Sequence, residues 1–145
     1  MYTPQGGVEP LSILAAASFT GKRGYGVVIS AANTVAVASS AGVPIFGILL
    51  DEPSAAGQAA AVAWCGKVQA KAGSGGFTAG DYVKVNASGL VVTASKAVVN
   101  TSDSGSATDY VIGSYVIGLA IETAAEGEFG YILLNHAGAV ATTAV

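Results

Sequence analysis

Gly76 to Ser95 read GFTAGDYVKVNASGLVVTAS, and this stretch decides the fold. Tyr82-Val83-Lys84-Val85 alternates, a turn follows at Asn86-Ala87-Ser88-Gly89, and Leu90-Val91-Val92-Thr93 extends again. β-Branched and aromatic residues at period two, punctuated by Asn, Ser and Gly, predict a hairpin. Gly80-Asp81 just ahead supplies the positive-φ position and the side-chain acceptor that a preceding turn wants. Every residue in the stretch suits a strand or a turn, and none suggests chemistry.

Working outward, the chain repeats itself. Tyr25 to Ser39 lies over Asp81 to Ser95 at a constant spacing of 56 positions, each copy being strand, small-residue turn, strand. Ile45-Phe46-Gly47-Ile48-Leu49-Leu50-Asp51 matches Val116-Ile117-Gly118-Leu119-Ala120-Ile121-Glu122 at a spacing of 71, with Gly and the closing acid in register. Ala55-Ala56-Gly57 with Ala61 to Trp64 then matches Ala125-Glu126-Gly127 with Tyr131 to Leu134 at a spacing of 70. The wider spacing puts about 15 extra residues in the second half, in the Ser/Thr/Asp/Gly run Val99 to Asp109 (VNTSDSGSATD), which reads as an exposed loop. Strands at short intervals with turns between them predict an all-β, sandwich- or barrel-like domain with an internal pseudo-duplication. A helix is an option only at Ala55 to Ala61, where Gly57 and the short length make it marginal.

The first twenty residues stand apart. Pro4, Gly6-Gly7 and Pro10 break any regular helix, and the segment is apolar with one charge. It is expected to be an extended arm over residues 1–20, either an edge strand folded back on its own domain or an arm laid across a neighbouring subunit, ahead of a single β domain over 21–145. Tyr2, Pro4, Val8, Leu11, Ile13, Leu14 and Phe19 are its candidate contact residues. Leu11 to Phe19 imitates a signal-peptide core, but Glu9 and the lack of Lys or Arg before it are the wrong flank, so it reads as mature sequence.

The 145-residue chain is 52% hydrophobic and 10% charged. An average globular chain is roughly 25% charged. So few charges leave a monomer's surface poorly covered, which predicts self-association, a homotrimer being the expected form. The candidate interface strands carry Val28, Val83, Val116 and Ile132. Lipid is the weaker explanation, because no run approaches the roughly 18 apolar residues of a spanning helix. A net charge of -3, with six basic residues scattered along the sequence, argues against nucleic acid.

Catalytic constellations do not assemble. His136 is the only histidine and Cys65 the only cysteine, which removes multi-His metal sites and intrachain disulfides. His136 reads as a solvated or backbone-bonded strand-end residue, and Cys65 as a buried strand thiol. Asp51, Glu52 and Glu122 could pair as carboxylates, but Asp51 and Glu122 occupy equivalent strand ends, which points to structure. Gly73-Ser74-Gly75-Gly76 lacks the Gly-Lys-Ser/Thr of a phosphate loop. Lys71, between two alanines, lacks the flanking Met or Asp of a carrier-domain lysine. No enzyme and no cofactor are expected.

The chain resembles the decoration, or cement, proteins of tailed-phage capsids. The resemblance is carried by Gly66-Lys67-Val68-Gln69-Ala70, Phe77-Thr78-Ala79-Gly80-Asp81-Tyr82-Val83-Lys84-Val85, Gly89-Leu90-Val91 and Ile117-Gly118-Leu119-Ala120-Ile121-Glu122. It spans about residues 24–136 and leaves the N-terminal segment outside. It implies a β protein on the capsid exterior of a virion, synthesised in a bacterial cytoplasm, trimeric, and bound to the major capsid protein without nucleic acid or membrane. The alternative is a carbohydrate- or receptor-binding β module of a phage or cell surface. Such modules display aromatic platforms, and here only Trp64, in an apolar strand, is available.

Overall fold

The computed structural model describes residues 10–94 and 115–139, with side chains through residue 135. Ten strands make up the regular structure of the described residues. The first five are β1 (Pro10–Ala15), β2 (Gly26–Ala31), β3 (Thr34–Val37), β4 (Gly47–Leu49) and β5 (Ala59–Ala63). The second five are β6 (Gly66–Lys71), β7 (Tyr82–Val85), β8 (Val91–Thr93), β9 (Tyr115–Ala120) and β10 (Phe129–Ala139). β1 to β5 close into a barrel in the order β1-β3-β2-β4-β5, and β6 to β10 form a sheet in the order β6-β10-β9-β7-β8. Along the chain, Trp64 and Cys65 are the link between the two halves.

The duplication read from the sequence is reproduced in the hydrogen-bond register. Val27 faces Val37 and Ile29 faces Val35 in the first hairpin. Val83 faces Thr93 and Val85 faces Val91 in the second, each residue 56 positions on. Gly26 faces Ile48 as Tyr82 faces Leu119. Ile48 faces Ala63 as Leu119 faces Leu133. The second sheet almost closes in the same way as the first. Ala72 bridges Val91 in parallel, the counterpart of the parallel pairing of Ala15 with Val35 that seals the barrel.

Local chemistry repeats as well. The first hairpin turns in two residues, with Asn33 at φ 52°. The second uses Asn86, whose Oδ1 accepts from the N–H of Ser88 at 2.9 Å and of Leu90 at 3.0 Å. Gly47 and Gly118 are equivalent, and both are glycine because a Cβ at either would strike the carbonyl oxygen of the paired strand, at Ala63 and Leu133 respectively. The optional helix at Ala55 to Ala61 is instead a turn leading into β5. The Gln58 side-chain oxygen accepts from the N–H groups of Ser54 and Ala55, closing the chain before a helical turn can propagate.

The first barrel is filled by Ala15, Phe19, Val27, Val35, Leu49, Ala60 and Val62. Their equivalents in the second half are Ala72, Phe77, Val83, Val91, Ala120, Gly130 and Ile132. Volume is traded between positions, since the smaller Ala120 and Gly130 are accompanied by the larger Ile132. The second core is bigger because residues of the first half, among them Ala38, Ile45, Ile48 and Ala63, join it across a seam. Hydrogen bonds cross that seam from the N–H of Gly26 to Gly89 O (2.7 Å), of Gly42 to Val85 O (2.8 Å) and of Lys71 to Gly24 O (3.0 Å).

Two sequence expectations are corrected. The arm does not extend to residue 20. Pro10 to Leu14 pair along the length of β5, and Phe19 is a core side chain, 2% exposed. This segment closes the barrel, and leaving it out would open a sheet edge. Tyr2, Pro4 and Val8 lie outside the described residues, as does the Val99 to Asp109 loop. The expected interface set also fails. Val83, Val116 and Ile132 are buried inside the chain, and Val28 packs half-buried on the seam core. Alternation identified apolar strand faces, but those faces point into the chain's own core.

Candidate functional site

Three surfaces of the described structure carry side chains that the fold itself does not absorb. The first is a groove of about 390 Å³ on the first barrel, bordered by Leu11, Ile13, Leu14, Ile29, Asn33 and Phe46. Leu11 and Leu14, each 44% exposed, and Ile29 at 53% leave apolar carbon in water here. Leu11, Ile13 and Leu14 were expected on an arm, and the structure places all three in β1, around the groove.

The second surface is an apolar row across the outside of the second sheet. Tyr82 on β7 neighbours Leu119 on β9, which neighbours Leu133 on β10. All three are exposed, and Ile121 beyond the end of β9 is exposed too.

The third surface went unseen in the sequence. Four of the six basic residues, scattered along the chain, gather where β6 and β10 meet the loop before β2. Lys67 Nζ stands 4.4 Å from the ring centre of Tyr131, and Lys22 Nζ 4.8 Å from that of Tyr25. The Arg23 guanidinium lies 5.5 Å from the Phe129 ring and donates to Gln69 Oε1 at 3.0 Å. Lys71 Nζ approaches the same Phe129 ring at 5.8 Å. Arg23, Lys67, Gln69 and Tyr131 border a hollow of about 240 Å³ on the seam, with Leu50 and Val68 below them. Lys67 and Gln69 share one face of β6, as Phe129 and Tyr131 share one face of β10, because strand side chains alternate. Pairing Gln69 with Tyr131 and Lys71 with Phe129 then sets cations beside rings. That arrangement was not legible from adjacency along the chain.

The residues weighed for chemistry take structural places. Asp51 Oδ1 accepts from the N–H of Ala61 at 3.0 Å, and Glu122 Oε2 from that of Tyr131 at 3.2 Å. These are equivalent bonds at equivalent strand ends. Glu52 Oε2 accepts from the N–H of Gly21 at 3.1 Å. Asp81 Oδ2 accepts from Thr78 N–H and from the Thr93 hydroxyl, pinning both ends of the second hairpin. Cys65 is partly exposed in the link between β5 and β6, where a buried strand thiol was expected, and Trp64 beside it is 41% exposed. His136 lies in β10, beyond the last described side chain. Among the described residues no group of three His, Cys, Asp or Glu side chains could hold a metal ion, and no helix could cross a membrane.

Strand order, register and repeat define an all-β class built from two equivalent five-stranded units packed on one seam. A solved structure of this class is the head fiber gp8.5 N base in bacteriophage phi29, to which this chain is similar with a TM-score of 0.60. The match runs over 89% of this chain and 95% of that one at 15% sequence identity, so the likeness is one of fold. No protein-family model matches the chain, and no curated protein does.

Proposed function

We propose that this chain is a non-enzymatic structural protein of a tailed-phage virion, mounted on the capsid exterior, where it ties neighbouring subunits of the major capsid protein together. The observation that carries the reading is the fold it shares, over nearly all of both chains, with the base of a phage head fiber. Composition supports the same reading. A chain with 10% charged residues and exposed apolar rows suits permanent burial in an assembly, with a homotrimer as its unit.

The described surface that suits the shell is the cation–aromatic face of Lys22, Arg23, Lys67 and Lys71. Arg, Tyr and Phe are enriched at protein interfaces, where one planar side chain supplies both apolar area and a polar tip. Rings already hold these cations in place, so less side-chain freedom is lost on docking. Each contact is modest, and a trimer engaging several shell subunits gains retention by avidity. Tyr2, Pro4 and Val8, which lie outside the described residues, keep the proposed role of arm contacts to a neighbour.

Co-sedimentation with purified, undecorated shells tests the proposal. The protein should pellet with shells and raise their disruption temperature. Arg23→Glu with Lys67→Glu should reduce retention at least tenfold, more severely at low salt than at high salt, where the charges are screened. Failure to bind shells, together with specific binding on a glycan array, would establish the carbohydrate-binding alternative instead.

A further inference from the structure

The seam inside the chain has two sides, and each side has an exposed twin elsewhere on the molecule. On the second half, Val68, Ala70, Val85 and Ile117 are all buried in the core that first-half residues join at the seam. Their equivalents on the first half, taken from the strand register, are Leu11, Ile13, Ile29 and Phe46. Those are the residues of the open groove. Val68 and Val85 are 2% and 0% exposed, against 44% and 53% for Leu11 and Ile29. The other side of the seam is presented by the first half through Gly26, Ile48, Leu50 and Ala63. Their equivalents on the second half are Tyr82, Leu119, Ile121 and Leu133, the exposed apolar row. Each free end of the chain therefore displays the surface that its own half lacks a partner for.

We infer that copies of this chain associate head to tail. The apolar row of one copy (Tyr82, Leu119, Ile121, Leu133) docks into the first-barrel groove of the next (Leu11, Ile13, Ile29, Phe46), repeating the intrachain seam between chains. The contact is heterologous, so it closes into a ring if the rotation per copy divides a full turn and otherwise continues as a filament. Three chains in a ring would place six related five-stranded units about one axis. Across the intrachain seam a Cβ built on Gly26 would lie 2.5 Å from Val85 Cγ1. The same relation between copies brings Tyr82 against Ile29, the two most exposed large apolar side chains of the described surface, at 63% and 53%. Tyr82 has a ring where Gly26 has none, so the contact between copies is wider than the seam and its angle differs accordingly. The inference takes the self-association proposed above as its premise and names its interface, while its test needs no shell.

The test uses the full chain and two single variants, Ile29→Asp in the groove and Leu119→Asp in the row, each checked for an unchanged far-ultraviolet spectrum. Native mass spectrometry at about 10 μM should show an oligomer for the wild type and monomer for each variant. Mixing the two variants should give a 1:1 heterodimer and nothing larger, because one intact row then meets one intact groove. An interface using the same patch on both partners would give no such rescue. Disulfide trapping tests the contact without introducing charge. Tyr82→Cys with Ile29→Cys, in a Cys65→Ser background, should oxidise to linked oligomers. Monomeric wild type, variants that still assemble, a mixture without heterodimer, or cysteines that fail to link between chains would each overturn the inference. So would a chain that oligomerises only after residues 1–9 are removed, since those residues would then be the occupant of the groove. Assembly without shell binding would sink the capsid reading and leave the interface standing.

Discussion

The two halves share a register and a seven-residue inner core, yet one is sealed and the other open. Val68, Val85 and Ile117 in the second half are buried in the core that first-half residues join at the seam. Leu11, Ile29 and Phe46 in the first half have no such cover among the described residues. Fully burying a large aliphatic side chain is worth roughly 1.5–3 kcal/mol. The seam thus supplies a substantial share of the few kcal/mol by which a domain of this size is stable. A five-stranded unit this small has little interior, and it gains much of its stability from what lies on its outer faces. Duplication solves that problem for one unit and passes it to the other.

The sharpest way to break the comparison is through the two equivalent phenylalanines. Phe19 and Phe77 are both 2% exposed at the same place in the repeat, and each donates its N–H across its own unit, to Pro53 O at 2.7 Å and Ala124 O at 3.0 Å. Phe19→Ala and Phe77→Ala should each lose roughly 3–5 kcal/mol, the usual range for emptying such a site. Because the seam joins the cores, both variants should melt in one cooperative transition. Two resolved transitions in calorimetry, with only one shifted by each variant, would mean that the halves are independent units that merely touch.

The repeat was readable because it is written in backbone-determining residues. Gly47 and Gly118, Asp51 and Glu122, and Gly57 and Gly127 stand at fixed spacings, and each has one backbone task that few other residues can do. The equivalence of β1 and β6 was missed. Pro10-Leu11-Ser12-Ile13-Leu14-Ala15 and Lys67-Val68-Gln69-Ala70-Lys71-Ala72 share no residue before the final Ala and lie 57 positions apart, outside the 56 that the hairpins keep. The shared signal was apolar alternation at Leu11, Ile13 and Ala15 against Val68, Ala70 and Ala72, hidden behind the Pro and Gly of the first ten residues. The interface residues were misassigned for a related reason. Period two tells which side chains share a face, while burial depends on what lies over that face, and that is a matter of distant chain. The cation–aromatic cluster was illegible for the same cause.

A smaller effect sharpens the comparison at the acids. Asp51 and Glu122 accept equivalent backbone bonds from Ala61 and Tyr131. Both sites are open to water, so Asp51→Ala and Glu122→Ala should each lose only about 1 kcal/mol. The two losses should be additive, since the bonds share no partner. Urea titration of the two single variants and the double variant reads this directly. A loss of more than about 2 kcal/mol at either site would show that the carboxylate does more than terminate a strand.

The smallest expected effect concerns the one place where the halves differ most in length. β3 and β4 are joined by residues 38–46, while β8 and β9 are joined by residues 94–114. The short connection works at the seam through its ends and middle. Ala38 and Ile45 are buried there, and Gly42 donates to Val85 O. Ala38 and Ile45 correspond to Ala94 and Val116, both outside the segment Val99 to Asp109 that makes the second connection long. Replacing that segment by Gly-Ser-Gly therefore keeps the anchoring ends and removes only added length. Loop closure changes by about 0.6 kcal/mol per doubling of length, and this deletion is less than one halving. The expected result is a gain of under about 0.6 kcal/mol, a rise of roughly 1–2 °C in melting temperature, with oligomer size unchanged. Insoluble protein would mean that the segment packs against the chain's own core. A soluble monomer would mean that it reaches the neighbouring copy, as the middle of the short connection reaches Val85.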